Sequence, residues 1–132
     1  MYDRTLTLET LQHIEETLCM LIEGTATIGQ VDELLASPDG ILRLNGICMI
    51  LCVVGEEIKN LDKHTDKKLL PDYPSIPWKD VMKMRDVIAH HYFEVDAEKV
   101  FDTLRNDVPP LLTVLRQMRK DLDGGSATLR DE

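Results

Sequence analysis

Residues 37–61 read Ser-Pro-Asp-Gly-Ile-Leu-Arg-Leu-Asn-Gly-Ile-Cys-Met-Ile-Leu-Cys-Val-Val-Gly-Glu-Glu-Ile-Lys-Asn-Leu, and this stretch decides the fold. Ser37-Pro38 is a helix start signal, with a hydroxyl to cap the first free amides and a proline that needs no donor at the first helical position. The predicted helix runs to about Leu61. Its middle, Ile47 to Val54, is apolar on nearly every face, so it is expected to be central or to lie in an oligomer interface. Cys48 and Cys52 fall in that run and are expected to be buried thiols.

Outward from this helix, every long segment shows the helical period. Leu8, Leu11, Ile14 or Glu15, Leu18, Leu21 and Ile22 recur at spacings of three and four, which predicts a first helix over Thr5 to Ile22. A short helix is expected within Ile28 to Ala36. Leu69 to Pro77 is punctuated by Pro71, Pro74 and Pro77 and is expected to be extended. Trp78 opens a third helix carrying Val81, Met84, Ile88 and Tyr92, with Pro77 in its first turn. Asp96 caps a fourth, from Ala97 to about Leu122, in which Pro109-Pro110 must kink or split the helix at Asp107. Gly124-Gly125-Ser126 is expected to end it. The domain reading is one helical unit over residues 1–122 and a disordered polar tail over 123–132. No strand alternation appears, so the fold class is all-α, an up-and-down bundle of four to five helices.

The chain has 132 residues and a formal net charge of −9. That charge argues against a nonspecific nucleic-acid binder, and no DNA partner is expected. Residues 1–78 hold 6 basic and 13 acidic residues, residues 79–120 hold 8 and 7, and residues 121–132 hold 1 and 4. An anionic ligand would therefore meet a local site in the third part rather than a broad basic face. Three cysteines give no disulfide framework. Met1-Tyr2-Asp3 carries neither the basic nor the apolar part of a secretory signal, and the longest run without charge or strong polarity, Gly46 to Gly55, is too short to span a bilayer. A cytoplasmic location and no membrane partner are the expectations.

The chemistry concentrates in Met84 to Phe93, read as Met-Arg-Asp-Val-Ile-Ala-His-His-Tyr-Phe. On a helix Asp86 and His90, four apart, share a face, and the carboxylate can accept from the imidazole N–H. Arg85 and Tyr92, seven apart, share another. Arg85 and His90 are about 140° apart on a regular helix, so one straight helix does not aim both at one spot. Either the helix ends or distorts near Ala89, or a second copy completes the site. These groups suit phosphodiester chemistry on RNA: a neutral imidazole takes the 2′-hydroxyl proton and a guanidinium steadies the charge developing on phosphate. No metal or cofactor is called for, and adjacent His90 and His91 on a helix point apart, a poor metal pair.

Met84 to Phe93 resembles the Arg-x4-His-x-Tyr motif of the HEPN superfamily, in its HepT-like branch. Tyr73 to Trp78 resembles the YPxIPW lead-in of that branch and Tyr92 to Asp96 its YFxVD exit. Phe101-Asp102-Thr103 with Asn106-Asp107-Val108-Pro109 is similar to its WxTVxNDLP helix, with Phe101 replacing tryptophan. Val54-Gly55-Glu56-Glu57 is similar to its IGEA segment, with Glu57 replacing alanine. The likeness covers roughly residues 42–118. It implies a bundle that forms a homodimer through its motif helices, which would supply the second copy. It also implies a metal-independent endoribonuclease toxin, with Arg85 and His90 as the catalytic pair and Asp86 in the polar position between them. The implied partner is an MntA-like minimal nucleotidyltransferase antitoxin that adds AMP to Tyr92. Glu56 and His91 are candidate supporting residues. The alternative is a non-catalytic helical subunit that binds and regulates such a nucleotidyltransferase, which the overall acidity favours. A nucleotide-binding helical sensor rests on the Arg/His/Tyr cluster alone.

Overall fold

The computed structural model describes residues 2–84 and 96–131, with side chains described to Gly124. Among them every regular element is helical: α1 (Arg4–Thr25), α2 (Asp32–Leu35), α3 (Pro38–His64), a 3-10 turn (Leu70–Asp72), α4 (Trp78–Met82), α5 (Ala97–Asp102) and α6 (Val108–Asp131). The all-α expectation holds.

The predicted caps are present. Ser37 is extended and its Oγ accepts from the Gly40 amide at 3.1 Å, with Pro38 at the first helical position. Asp96 likewise accepts from the Lys99 amide at 3.2 Å and starts α5. A further cap, not anticipated from the sequence, is Asp3, which accepts from the Leu6 amide and starts α1 at Arg4.

α1 packs most extensively against α6 and α3, and the contacts show how they run. Arg4 reaches Asp123, and Glu15 reaches Arg119, so low numbers on α1 meet high numbers on α6. The Arg43 guanidinium, near the start of α3, donates to the Gly24 carbonyl at the end of α1. Both neighbours are therefore antiparallel to α1. The helices lay down one core, with Leu11, Ile14, Leu18 and Leu21 from α1, Leu44, Ile47, Leu51, Val54 and Ile58 from α3, and Leu111, Leu115 and Met118 from α6. Spacings of three and four put each set on one face, and burying each such side chain contributes about 1.5–3 kcal/mol.

Four expectations change. Glu15, an alternative to Ile14 on the stripe but expected mostly off it, is buried at 6% exposure because Arg119 and Arg116 reach it from α6, at 3.1 and 3.9 Å. Cys48 is buried, and burial pushes its thiol up, but Cys52 is only half-buried. The proline-rich segment is not extended throughout: Leu70 to Asp72 forms a 3-10 turn, which Pro71 tolerates because its fixed φ suits helical backbone. α6 stays helical to Asp131, past the glycines expected to stop it; each glycine costs only about 1 kcal/mol, and a helix already several turns long propagates through it.

The break expected at Pro109-Pro110 is a change of winding. Thr103–Asp107 forms a π turn between α5 and α6, in which the Val108 amide donates to the Thr103 carbonyl five residues back. A proline ring presses on the carbonyl four residues earlier and offers no amide, so a wider turn just before the pair relieves both problems. The turn aims Arg105 at the end of α1. Its guanidinium donates to the carbonyls of Thr25 (2.9 Å) and Ile28 and lies 5.0 Å from the centre of the Phe101 ring. Arg43 and Arg105 donate to carbonyls at and just past the end of α1, where few backbone amides are in reach. On the other side of that junction, α2 crosses the start of α3 closely. A Cβ on Gly40 would lie 2.5 Å from the Glu33 carbonyl oxygen, so only glycine fits.

Candidate active site

Arg85, Asp86, His90, His91 and Tyr92 lie outside the described residues. What the structure shows is how the chain is held on both sides of them. On the near side, Trp78 and Val81 are buried in the core and Met82 and Met84 pack against it. The Trp78 indole N–H donates to the Tyr73 carbonyl at 2.9 Å, and the Tyr73 hydroxyl donates to Asp121 Oδ2 at 2.5 Å. This chain of two bonds ties the lead-in segment to α6. Burial, and then the Asp121 carboxylate, push the Tyr73 phenol well above its ordinary value; Asp121 is held below its own, first by Tyr73 and then by Gln117. On the far side, Asp96 caps α5 and Ala97 and Val100 are buried. The described residues on either side, up to Met84 and from Asp96, are thus anchored.

Glu56 is half-buried on α3. At offsets of seven, four and three it falls on the face that carries Leu42, Met49 and Val53. Those three are exposed, Leu42 at 69% and Met49 at 65%. The apolar-all-round reading of α3 therefore divides into a buried side, with Ile47, Leu51 and Val54, and a bare apolar side. His13 and His64 are exposed. Among the described residues no three His, Cys, Asp or Glu side chains gather as a metal-binding group, and no helix is long and apolar enough to cross a membrane.

Sequence reasoning missed the Tyr73–Asp121 bond and the role of Arg105. Both join residues far apart in the chain, 48 positions in the first case and 80 in the second, where no periodicity connects them.

An antiparallel helical bundle whose anchored lead-in and cap bracket an Arg-x4-His segment defines a class, the small HEPN-like helical proteins. The chain matches the HepT-like ribonuclease family model over residues 8–118, and it belongs to that family. A protein of Methanocaldococcus jannaschii named as a candidate RNase is 36% identical over 72 residues, 54% of this chain and 56% of that one. A protein of Thermococcus cleftensis named probable ribonuclease HepT is 37% identical over 68 residues, 52% and 58% of the two chains. The chain thus spans little more than half the length of these two relatives. A longer match, 31% identical over 101 residues, covers 76% of this chain and 83% of a candidate RNase of Caldanaerobacter subterraneus. No solved structure matches.

Proposed function

We propose that the protein is a metal-independent endoribonuclease toxin of a toxin–antitoxin pair. The single observation that carries this reading is the coincidence of family membership with an intact Arg85-x4-His90-x-Tyr92 segment. Relatives named as ribonucleases support RNA as the substrate. In this reading neutral His90 removes the 2′-hydroxyl proton, Asp86 holds its tautomer, and Arg85 binds the phosphate and stabilises the charge that builds on it. His91 and Glu56 support the site. The second copy that brings Arg85 and His90 together comes from a homodimer. The bare face of α3, with Leu42, Met49 and Val53, supports a dimer, because contiguous exposed apolar side chains mark interaction surfaces. An MntA-like nucleotidyltransferase silences the toxin by adding AMP to Tyr92, whose bulk and charge would fill the cleft.

The test is cleavage of RNA in EDTA by the purified protein. Arg85→Ala and His90→Ala should each lower the rate at least 100-fold while the thermal melt stays within about 2 °C of the parent, as removal of a general base or an electrostatic clamp predicts. Cleavage that survives His90→Ala overturns the mechanism. The Tyr92 assignment is read separately, as a mass gain of one AMP with partner and ATP that is absent in Tyr92→Phe.

A further inference from the structure

Six of the eight lysines of the chain fall within residues 59–83: Lys59, Lys63, Lys67, Lys68, Lys79 and Lys83. All six are exposed. With only four aspartates among them, this stretch is net +2 in a chain that is net −9. The fold gathers the stretch at one end of the bundle, where the end of α3, the 3-10 turn and α4 enclose an open groove of about 560 Å³. Lys67 and Lys79 line that groove from opposite segments, with Asp62 and Asp80 beside them and Trp78 and Met82 in its wall. Two residues of sequence separate Met82 from Arg85.

The backbone that places Lys67 is strained. Asp66 and Lys67 both adopt left-handed conformations, φ 55° and 59°, where residues with a Cβ are disfavoured by about 1–2 kcal/mol each. The Lys67 amide donates to the Asp62 carbonyl at 2.8 Å, and Thr65 is fully buried, with its hydroxyl on Leu61 O, so the turn is held despite the strain. A glycine there would relieve it; a lysine in that conformation fits a site where the side chain is wanted.

We infer that this groove is a subsite for the RNA strand beside the cleavage site, an inference that rests on the ribonuclease reading above. Lys67 and Lys79 take backbone phosphates, and the Asp62 and Asp80 carboxylates accept from ribose 2′-hydroxyls, which a DNA strand lacks. A polyanion is repelled by most of this acidic surface, so the lysines clustered in this stretch also set the direction of approach.

The test is binding of a labelled single-stranded RNA by fluorescence anisotropy, in a His90→Ala background so that the strand stays whole. Two phosphate contacts on a single strand contribute about 1.4 to the slope of log K against log salt, hence about 25-fold in affinity at 0.1 M salt. Lys67→Gln with Lys79→Gln should weaken binding by that factor, flatten the slope by about 1.4, and converge with the parent near 1 M salt. Lys67→Gly, which relieves the turn and so keeps the fold, should show about half the effect on the slope. The charge-matched control Lys99→Gln with Lys120→Gln, on α5 and α6, should leave the slope unchanged. Equal loss in the control, no loss in the groove variant, or equal affinity for DNA of the same sequence overturns the groove while leaving RNA cleavage standing. Failure of the parent to bind RNA at all overturns both readings, whereas groove-dependent binding by a protein whose His90 form does not cleave RNA upholds the groove as an RNA-binding surface and overturns its place beside a cleavage site.

Discussion

Replacing Arg105 by methionine keeps the apolar stem and removes the guanidinium. Three interactions go with it: the hydrogen bonds to the Thr25 and Ile28 carbonyls and the contact with the Phe101 ring. A hydrogen bond from a charged group contributes about 1.5–3 kcal/mol and a partly exposed cation–π contact about 0.5–1. Two offsets apply. The Thr25 carbonyl keeps a second donor, the Ile28 amide at 3.1 Å, and Arg105 is half-exposed, so water replaces part of what is lost. Taking the lower bounds and allowing for these, the expected cost is about 2 kcal/mol. For a domain of this size that is about 8 °C in melting temperature. Urea denaturation followed by circular dichroism at 222 nm measures it directly. The cycle with Phe101→Leu should return a coupling of about 0.5 kcal/mol, the ring's own share. A loss below 0.5 kcal/mol for Arg105→Met would refute the claim that the π turn is held against α1 by this side chain. The consequence reaches the motif, because α5 follows it directly and the π turn sets how α5 lies on the rest of the bundle.

Three further outcomes follow from other parts of the structure. Tyr73→Phe should destabilise the protein in a pH-dependent way. Asp121 is held below its ordinary value, so its contribution is present above about pH 4 and is lost as pH falls through its depressed value. Tyr73 is pushed up, so its contribution is present below about pH 10 and is lost as pH rises through its raised value. The parent's advantage in urea midpoint over Tyr73→Phe should be flat from about pH 5 to 9 and shrink at pH 2.5, and an advantage undiminished there counts against the assignment. Gly40→Ala should cost about 1–3 kcal/mol, because the new methyl meets backbone at 2.5 Å, whereas Gly24→Ala, with nothing within 4 Å, should be neutral or slightly stabilising; equal effects in denaturant would contradict the close crossing of α2 and α3. Asp96→Ala should remove the cap of α5 at about 1 kcal/mol, seen as faster amide exchange at Lys99 than in the parent.

Much of this protein was readable without coordinates, for reasons that are local. The 3–4 spacing of Leu11, Ile14, Leu18 and Leu21, or of Leu44, Ile47, Leu51 and Val54, depends only on the pitch of a helix. Ser37 and Asp96 act within three residues of themselves, so their capping roles follow from residue type and position. The Arg85, Asp86, His90 and Tyr92 segment stands out because its residue types are reactive and close together, and its geometry lies outside the described residues. Other properties depended on which helix lies against which. Glu15 is a surface residue by composition and a buried one in fact, because Arg119 comes from a helix a hundred residues later. Gly40 is an ordinary glycine until the Glu33 carbonyl is set above it. Pro109-Pro110 announced a disturbance that the π turn absorbs locally, but only the fold shows that Arg105 on that turn meets the end of α1. Sequence thus determined the helices, their caps and the reactive segment, which are governed by interactions within a turn or two of the chain. Tertiary structure alone decided the partners of buried Glu15, the helix crossing and the groove between Lys67 and Lys79, since each depends on contacts between residues that only folding brings together.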